Sequence, residues 1–406
     1  MSFVDLTYQI GLTLLDGVGD VLAKNLVAYC GSAEQVFKTS KGQLEKIPGI
    51  GTYTSAAIQK SKSVLERAEQ EVSFINDNKI QALFFTDANF PQRLKNCSDS
   101  PVMLYYKGNA DLNTEKIIAV VGTRTPSLYG KEMTEKFISE LTNSGCLVVS
   151  GLAYGIDITA HKSSLDNGLN TVGVLAHGLD RVYPSVHSNY AAKMISQGGL
   201  LTEFISDTNP DKENFPKRNR IVAGMCDALV VVESKRGGGS LITATIANSY
   251  NKDIFAFPGR AGEVLSEGCN GLIKSHRANL IESIADLMYI MNWNQEVKKK
   301  KTNQIPLLFK LSDEEQSIVN AFENKSQLHV DEICYATNFP ISKTSGHLLQ
   351  LEFSNNRPSQ RSGDDACIKQ HGGSTASFAL QAWPVACPWA CKGRPWRRAI
   401  PTSRST

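Results

Sequence analysis

Residues 117–130 read IIAVVGTRTPSLYG: five consecutive apolar residues, a glycine, then a loop of Arg124, Thr125, Pro126 and Ser127 where a nucleotide-binding fold usually places further glycines. A short, β-rich apolar run without strict alternation suits a strand covered on both faces. The pattern recurs downstream in CLVVS (146–150), TVGVLA (171–176), GLLTEF (199–204), ALVVVE (228–233) and DIFAFP (253–258), with amphipathic helical stretches between the runs. This alternation predicts an α/β fold: an extended Rossmann-like, doubly wound parallel sheet built on those six runs.

Charge has to be located before it is used. The 406 residues carry 43 Lys and Arg against 40 Asp and Glu, a formal net charge of +3. Residues 355–406 hold eight of the basic side chains against Asp364 and Asp365, so residues 1–354 have 35 basic and 38 acidic groups, net −3. Overall charge therefore says nothing for nucleic acid, and local clusters must carry any such argument. No run of about 18 apolar residues exists, and the first 20 residues have no basic leader but do have Asp5 and Asp16. The expectation is a cytoplasmic protein with no membrane partner. Nine cysteines are scattered without a CxxC pair, and Cys146 and Cys226 lie in or beside apolar runs, which reads as reduced, buried thiols and not as a metal site.

Other modules flank the sheet. Residues 1–70 read as short helices, in which LLDGVGD (14–20) and KIPGIGT (46–52) each place a Gly-x-Gly turn ahead of a helix. Such turns occur in paired helix-hairpin-helix or SAM-like elements, where they either meet phosphate or only pack. The sheet domain is expected over 73–295, followed by a linker over 296–306 that contains KKKK (298–301). Residues 307–354 read as three helices, the second starting near His329 and the third at Ser342, an incomplete winged-helix-like module with Lys343 and His347 on its recognition helix. Small modules of this kind also dock proteins. NNRPSQRSGDD follows Phe353 in place of a wing. Residues 355–406, holding three of the four tryptophans, three cysteines and six of the fifteen arginines without any period, read as a disordered or foreign tail.

In a parallel sheet, ligands bind outside the carboxyl ends of the strands. The first run is followed by Gly122, Thr123, Arg124 and Ser127, and the second by Gly151 to Gly155 and a helix carrying Lys162. The fifth is followed by Ser234 to Thr243, including Ser240, and FPKRNRIVAG adds Lys217, Arg218, Asn219 and Arg220. Hydroxyls, small residues and helix N-termini suit phosphate oxygens, and arginines add charge-assisted contacts. No G-x-G-x-x-G follows the first run and no GxxxxGK[ST] occurs anywhere, which disfavours NAD, FAD and Walker-type ATP; no cofactor is expected. Separated cations fit a polyanionic strand better than one dinucleotide. Tyr129, Tyr154 and Tyr183 stand near strand ends, where they either stack on bases or pack against the rim.

In order and spacing, GTRTPSLYG, SGLAYGIDITAH, GLDRVYP, FPKRNRIVAGMCDALVVVES and GGSLITATIAN followed by FAFPG resemble the DNA-processing protein A (DprA/Smf) family over roughly residues 73–285. The resemblance implies a non-catalytic, homodimeric protein that binds single-stranded DNA and loads the recombinase RecA during natural transformation. By motif, Arg124 looks like the family's strand-binding arginine, and Gly151, Gly155 and residues 218–220 would line the phosphate pocket. Two departures stand out: Ser185 and Val186 where many members carry basic residues, and KSHRAN (274–279) where small residues are expected. The enzymatic alternative is a nucleotide phosphoribohydrolase of the lysine-decarboxylase-like group. Overlaying its PGGxGTxxE signature on RGGGSLITA puts Ala244 at the essential glutamate and leaves only Glu233 nearby.

Overall fold

The structure is a computed structural model that describes residues 3–293, 312–322, 328–354, 369–371 and 375–377. Its contacts divide the chain into two units, Met1–Glu296 and Val297–Thr406. The first unit opens with six helices, α1 (Phe3–Thr13), α2 (Asp20–Cys30), α3 (Ala33–Lys38), α4 (Lys41–Leu44), α5 (Thr52–Gln59) and α6 (Lys62–Asp77). Two strands enclose a short helix: β1 (Gln81–Phe84), α7 (Gln92–Lys95) and β2 (Met103–Gly108). The alternating part runs β3 (Ile117–Val121), α8 (Leu128–Glu140), β4 (Leu147–Ser150), α9 (Ile156–Asp166), β5 (Thr171–Val174), α10 (Ser188–Ser196) and β6 (Gly198–Thr202). It continues through α11 (Asn214–Met225), β7 (Ala228–Val231), α12 (Gly239–Ser249), β8 (Asp253–Ala256), α13 (Glu267–Lys274), β9 (Asn279–Leu280) and α14 (Ile284–Ile290).

All six runs expected to be strands are strands, within one nine-stranded sheet of order β1-β2-β6-β5-β4-β3-β7-β8-β9. β6 through β9 are parallel, whereas β1 and β2 extend the β6 edge antiparallel. In β3, Ile118 and Val120 enter a core with α8 and α9, and Ile117, Ala119 and Val121 enter another with α11 and α12. Burial on both faces explains why the run is continuously apolar. Because α8 and α12 leave adjacent strands toward opposite faces, the carboxyl ends of β3 and β7 flank the topological switch point, where a doubly wound sheet opens a crevice.

The N-terminal helices share a core with β1 and β2, in which Leu26, Val36 and Val72 join Phe84, Met103 and Tyr105. The first Gly-x-Gly turn is used for this docking. Asp20 accepts from the Val102 amide at 3.0 Å and pairs with Arg220 at 3.1 Å, so the first residue of α2 ties that helix to the start of β2 and to α11. Arg220 also binds Glu203 and the Asp99 carbonyl.

Burial pushes the Glu203 carboxyl from its ordinary 4.5 up to about 7, although Arg220 opposes the shift. The folded state therefore holds this proton more tightly than the unfolded chain. The site's contribution to stability is full below pH 4.5 and is lost as the pH rises through about 7. Glu203→Gln should flatten that part of the stability profile. Urea unfolding at pH 5, 6, 7 and 8 checks this, and an unchanged slope in the variant would contradict it.

The second unit contains α15 (Asp313–Asn320), α16 (Val330–Thr337) and α17 (Ile341–Ser354) around Ile318, Phe322, Ile333 and Leu348. Lys343 and His347, the two residues singled out on the expected recognition helix, both face Glu314, at 2.6 and 2.9 Å. Beyond it, Lys369–His371 (β10) and Thr375–Ser377 (β11) pair antiparallel; the expected linker and the remainder of the tail lie outside the described residues.

Candidate functional site

The turn after β3 is set by close packing. A Cβ on Gly122 would lie 2.4 Å from the Ile156 side chain, so only glycine allows α9 to start this near the strand. The Thr123 amide donates to the Glu233 carbonyl at 2.8 Å, and the Thr123 carbonyl accepts from the Ile156 amide at 3.2 Å. Gly155 has φ +80°, and its missing Cβ makes room for the backbone of Thr123 and Arg124. The loop is thus held from below while Arg124 stands exposed, its guanidinium 5.2 Å from the Phe215 ring centroid. Among the described residues no carboxylate pairs with Arg124 or Lys235.

A cavity of about 390 Å³ opens at the switch point. Gly122, Arg124, Gly151, Arg218, Asn219 and Ser240 line it, together with Asp157, Phe215 and Lys235. The first turn of α12 borders it, and the amides of Gly239 and Ser240 there have no carbonyl within their own helix. The Ser240 hydroxyl donates to Ser234 at 2.8 Å. A smaller cleft of about 70 Å³ adjoins the cavity and shares Arg124, Gly151, Phe215 and Arg218 with it. Tyr154, Tyr183 and Pro184 form its rim. Both tyrosines are about half exposed, and Tyr183 packs 6.3 Å from Phe215, centroid to centroid.

Arg218 is 4% exposed and donates to the carbonyls of Gly151 and Val174, joining the ends of β4 and β5. Burial pulls its guanidinium down to about 10, with Asp157 acting to hold it up, so it stays charged at neutral pH. Asp157 is itself pushed above the usual carboxylate range by burial, against the attraction of Arg218. Arg218, bonded to both carbonyls, fixes the floor of the cavity, with Asp157 buried nearby.

Five residues expected at the site do not line the cavity: Gly155 packs beneath the Thr123–Arg124 backbone, and four stand elsewhere. Arg220 belongs to the Asp20–Glu203 junction, and Lys217 lines a separate cavity of about 570 Å³ beside α2. Lys162 lies over the Tyr190 ring at 4.5 Å. The Ser127 hydroxyl caps α8, accepting from the Gly130 amide at 3.1 Å and donating to Glu233 at 2.5 Å. That contact also engages Glu233: the carboxylate is 2% exposed and takes a second bond from the Ser127 amide at 2.9 Å, which holds it away from the cavity. Ala244, at the signature's glutamate position, is buried in the core. Phe215 and Lys235 were missed, although each lies beside a stretch already singled out. Tyr129 turns to the Pro258 carbonyl, 2.9 Å away.

The fold and the site define a Rossmann-like protein whose switch point offers cations unpaired among the described residues, helix amides and an aromatic cleft in place of a dinucleotide loop. The family model described as DNA recombination-mediator protein A matches residues 81–292. The chain belongs to that family, the DprA/Smf proteins. It is 40% identical over 210 residues to the DNA processing protein DprA of Streptococcus pneumoniae, covering 52% of this chain and 74% of that protein. Protein Smf of Synechocystis is 32% identical over 277 residues, 67% of this chain and 69% of the relative. The X-ray structure of the Streptococcus pneumoniae protein aligns with a TM-score of 0.62 at 33% identity, covering 70% of this chain and 97% of that one. Among the described residues no helix is long and apolar enough to cross a membrane.

Proposed function

We propose that the switch-point trough binds single-stranded DNA and that the protein, as a homodimer, presents the strand to the recombinase RecA during DNA uptake. One observation carries the DNA reading: Arg124 is exposed, free of any acidic partner among the described residues, and stacked on Phe215 where the polar cavity meets the aromatic cleft. Phosphate oxygens suit Arg124, Lys235 and the α12 amides, and an unstacked base suits the tyrosine rim. A duplex hides its base faces within the stack, so stacking on the tyrosine rim favours single strands. The RecA and dimer parts rest on family membership, since a recombination mediator acts on a strand that a recombinase then takes. The cytoplasm is the corresponding compartment. Engagement of Glu233 by the α8 cap supports strand binding without turnover.

Competition between labelled single-stranded and duplex oligonucleotides across a salt series tests the DNA reading. Single strands should win, with the slope of log K against log salt changed by about 0.7 for each phosphate contacted. Deleting residues 355–406 should leave affinity within about twofold, because the trough rather than the basic tail holds the strand. Equal affinity for duplex, or loss of binding with the tail, would count against it.

A further inference from the structure

Arg124 and Tyr154 line the same aromatic cleft, and from Tyr154 an unbroken set of contacts leads away from the trough. The Tyr154 ring meets the His187 ring edge-on, with the centroids 5.1 Å apart. Three residues along the chain, in the first turn of α10, Tyr190 packs against the core that contains Leu152 and Ile158. The Lys162 ammonium of α9 lies over the Tyr190 ring at 4.5 Å from its centroid, and that of Lys193 at 5.9 Å. Lys193 is exposed and Lys162 half-buried, and neither belongs to an ion pair among the described residues. From Tyr183 to Lys193 the chain has no Asp or Glu. The segment that joins the cleft rim to the two lysines therefore carries no negative charge.

We propose that the face formed by α9 and α10 is a second segment of the strand path. A strand held at Arg124 leaves the cleft over Tyr154, and its next phosphates meet Lys162 and Lys193, with Tyr190 positioning the two ammoniums. Two like charges gathered at one ring repel each other, and a phosphate beside them relieves that repulsion. This rests on the trough reading and adds to it a direction of travel, toward α10, and a dependence of affinity on strand length. Lysines on phosphates carry no base readout, so the added affinity is the same for every sequence.

The test compares a single-stranded oligonucleotide of about 6 nucleotides, enough for the trough, with one of about 20, long enough to cross the rim. Wild type should bind the longer one more tightly. In Lys162→Gln/Lys193→Gln the long strand should bind about tenfold more weakly, with its salt slope reduced by about 1.4, two phosphates' worth, while the short strand binds as before. Lys162→Arg/Lys193→Arg, which keeps both charges, should retain the long-strand affinity. Tyr190→Phe keeps the ring and should bind like wild type, whereas Tyr190→Leu should lose about two- to fivefold on the long strand alone. Unchanged long-strand affinity in the glutamine variant would overturn the proposal, as would equal losses for both lengths. Short-strand binding that survives Arg124→Ala would instead overturn the trough reading, a result the lysine variants cannot produce.

Discussion

Arg218→Leu is expected to lower the unfolding free energy by about 3–5 kcal/mol, because it leaves buried polar groups of the cavity floor without a partner and takes the nearest positive charge away from buried Asp157. It removes the donor shared by the Gly151 and Val174 carbonyls, so two buried acceptors at the ends of β4 and β5 lose their partner. At about 2–4 °C per kcal/mol for a unit near this size, the melting temperature should fall by about 6–20 °C. Thermal unfolding of the full chain checks this. Adding Asp157→Asn should recover part of the loss, because the second change removes the stranded charge. A variant that melts with the wild type would show that Arg218 does not hold the cavity floor.

Arg124→Ala should do the opposite, damaging binding and sparing the fold. Its guanidinium is exposed, and its described contact is with the face of Phe215, so stability should change by no more than about 0.5 kcal/mol. A charge-assisted contact to phosphate contributes about 1.5–3 kcal/mol, which corresponds to roughly a 10- to 150-fold loss of affinity. The contrast between the two arginines is physical. Arg218 is enclosed and bonded to the backbone, whereas Arg124 is exposed and, among the described residues, without a carboxylate partner.

The central strands were legible because burial on both faces demands continuous apolar runs, and IIAVV and ALVVVE have no other natural reading. β1 and β2 are not among the six runs expected as strands. β2 earns its place by pairing with β6, Tyr105 opposite Thr202, and such a distant partner leaves no local period. β9 is two residues long, too short for any pattern. At the site, the glycines and Arg124 were legible because they directly follow a strand. Arg220 was misplaced because residues two apart lie on nearly opposite sides of a helix: Arg218 turns into the crevice and Arg220 toward Asp20. Ser127 was expected at the ligand and caps α8 instead, because a cap and a phosphate ligand use the same hydroxyl. Phe215 and Lys235 become site residues only when α11 and the loop after β7 meet over β3.

Fluorescence anisotropy of a labelled single-stranded oligonucleotide, titrated with wild type and with Arg124→Ala at one fixed salt concentration, bears most directly on the trough. Saturable wild-type binding that weakens at least tenfold in the variant, with both proteins melting together, is the predicted result. Equal affinity of the two proteins would contradict the assignment of this edge of the sheet as the DNA-binding surface.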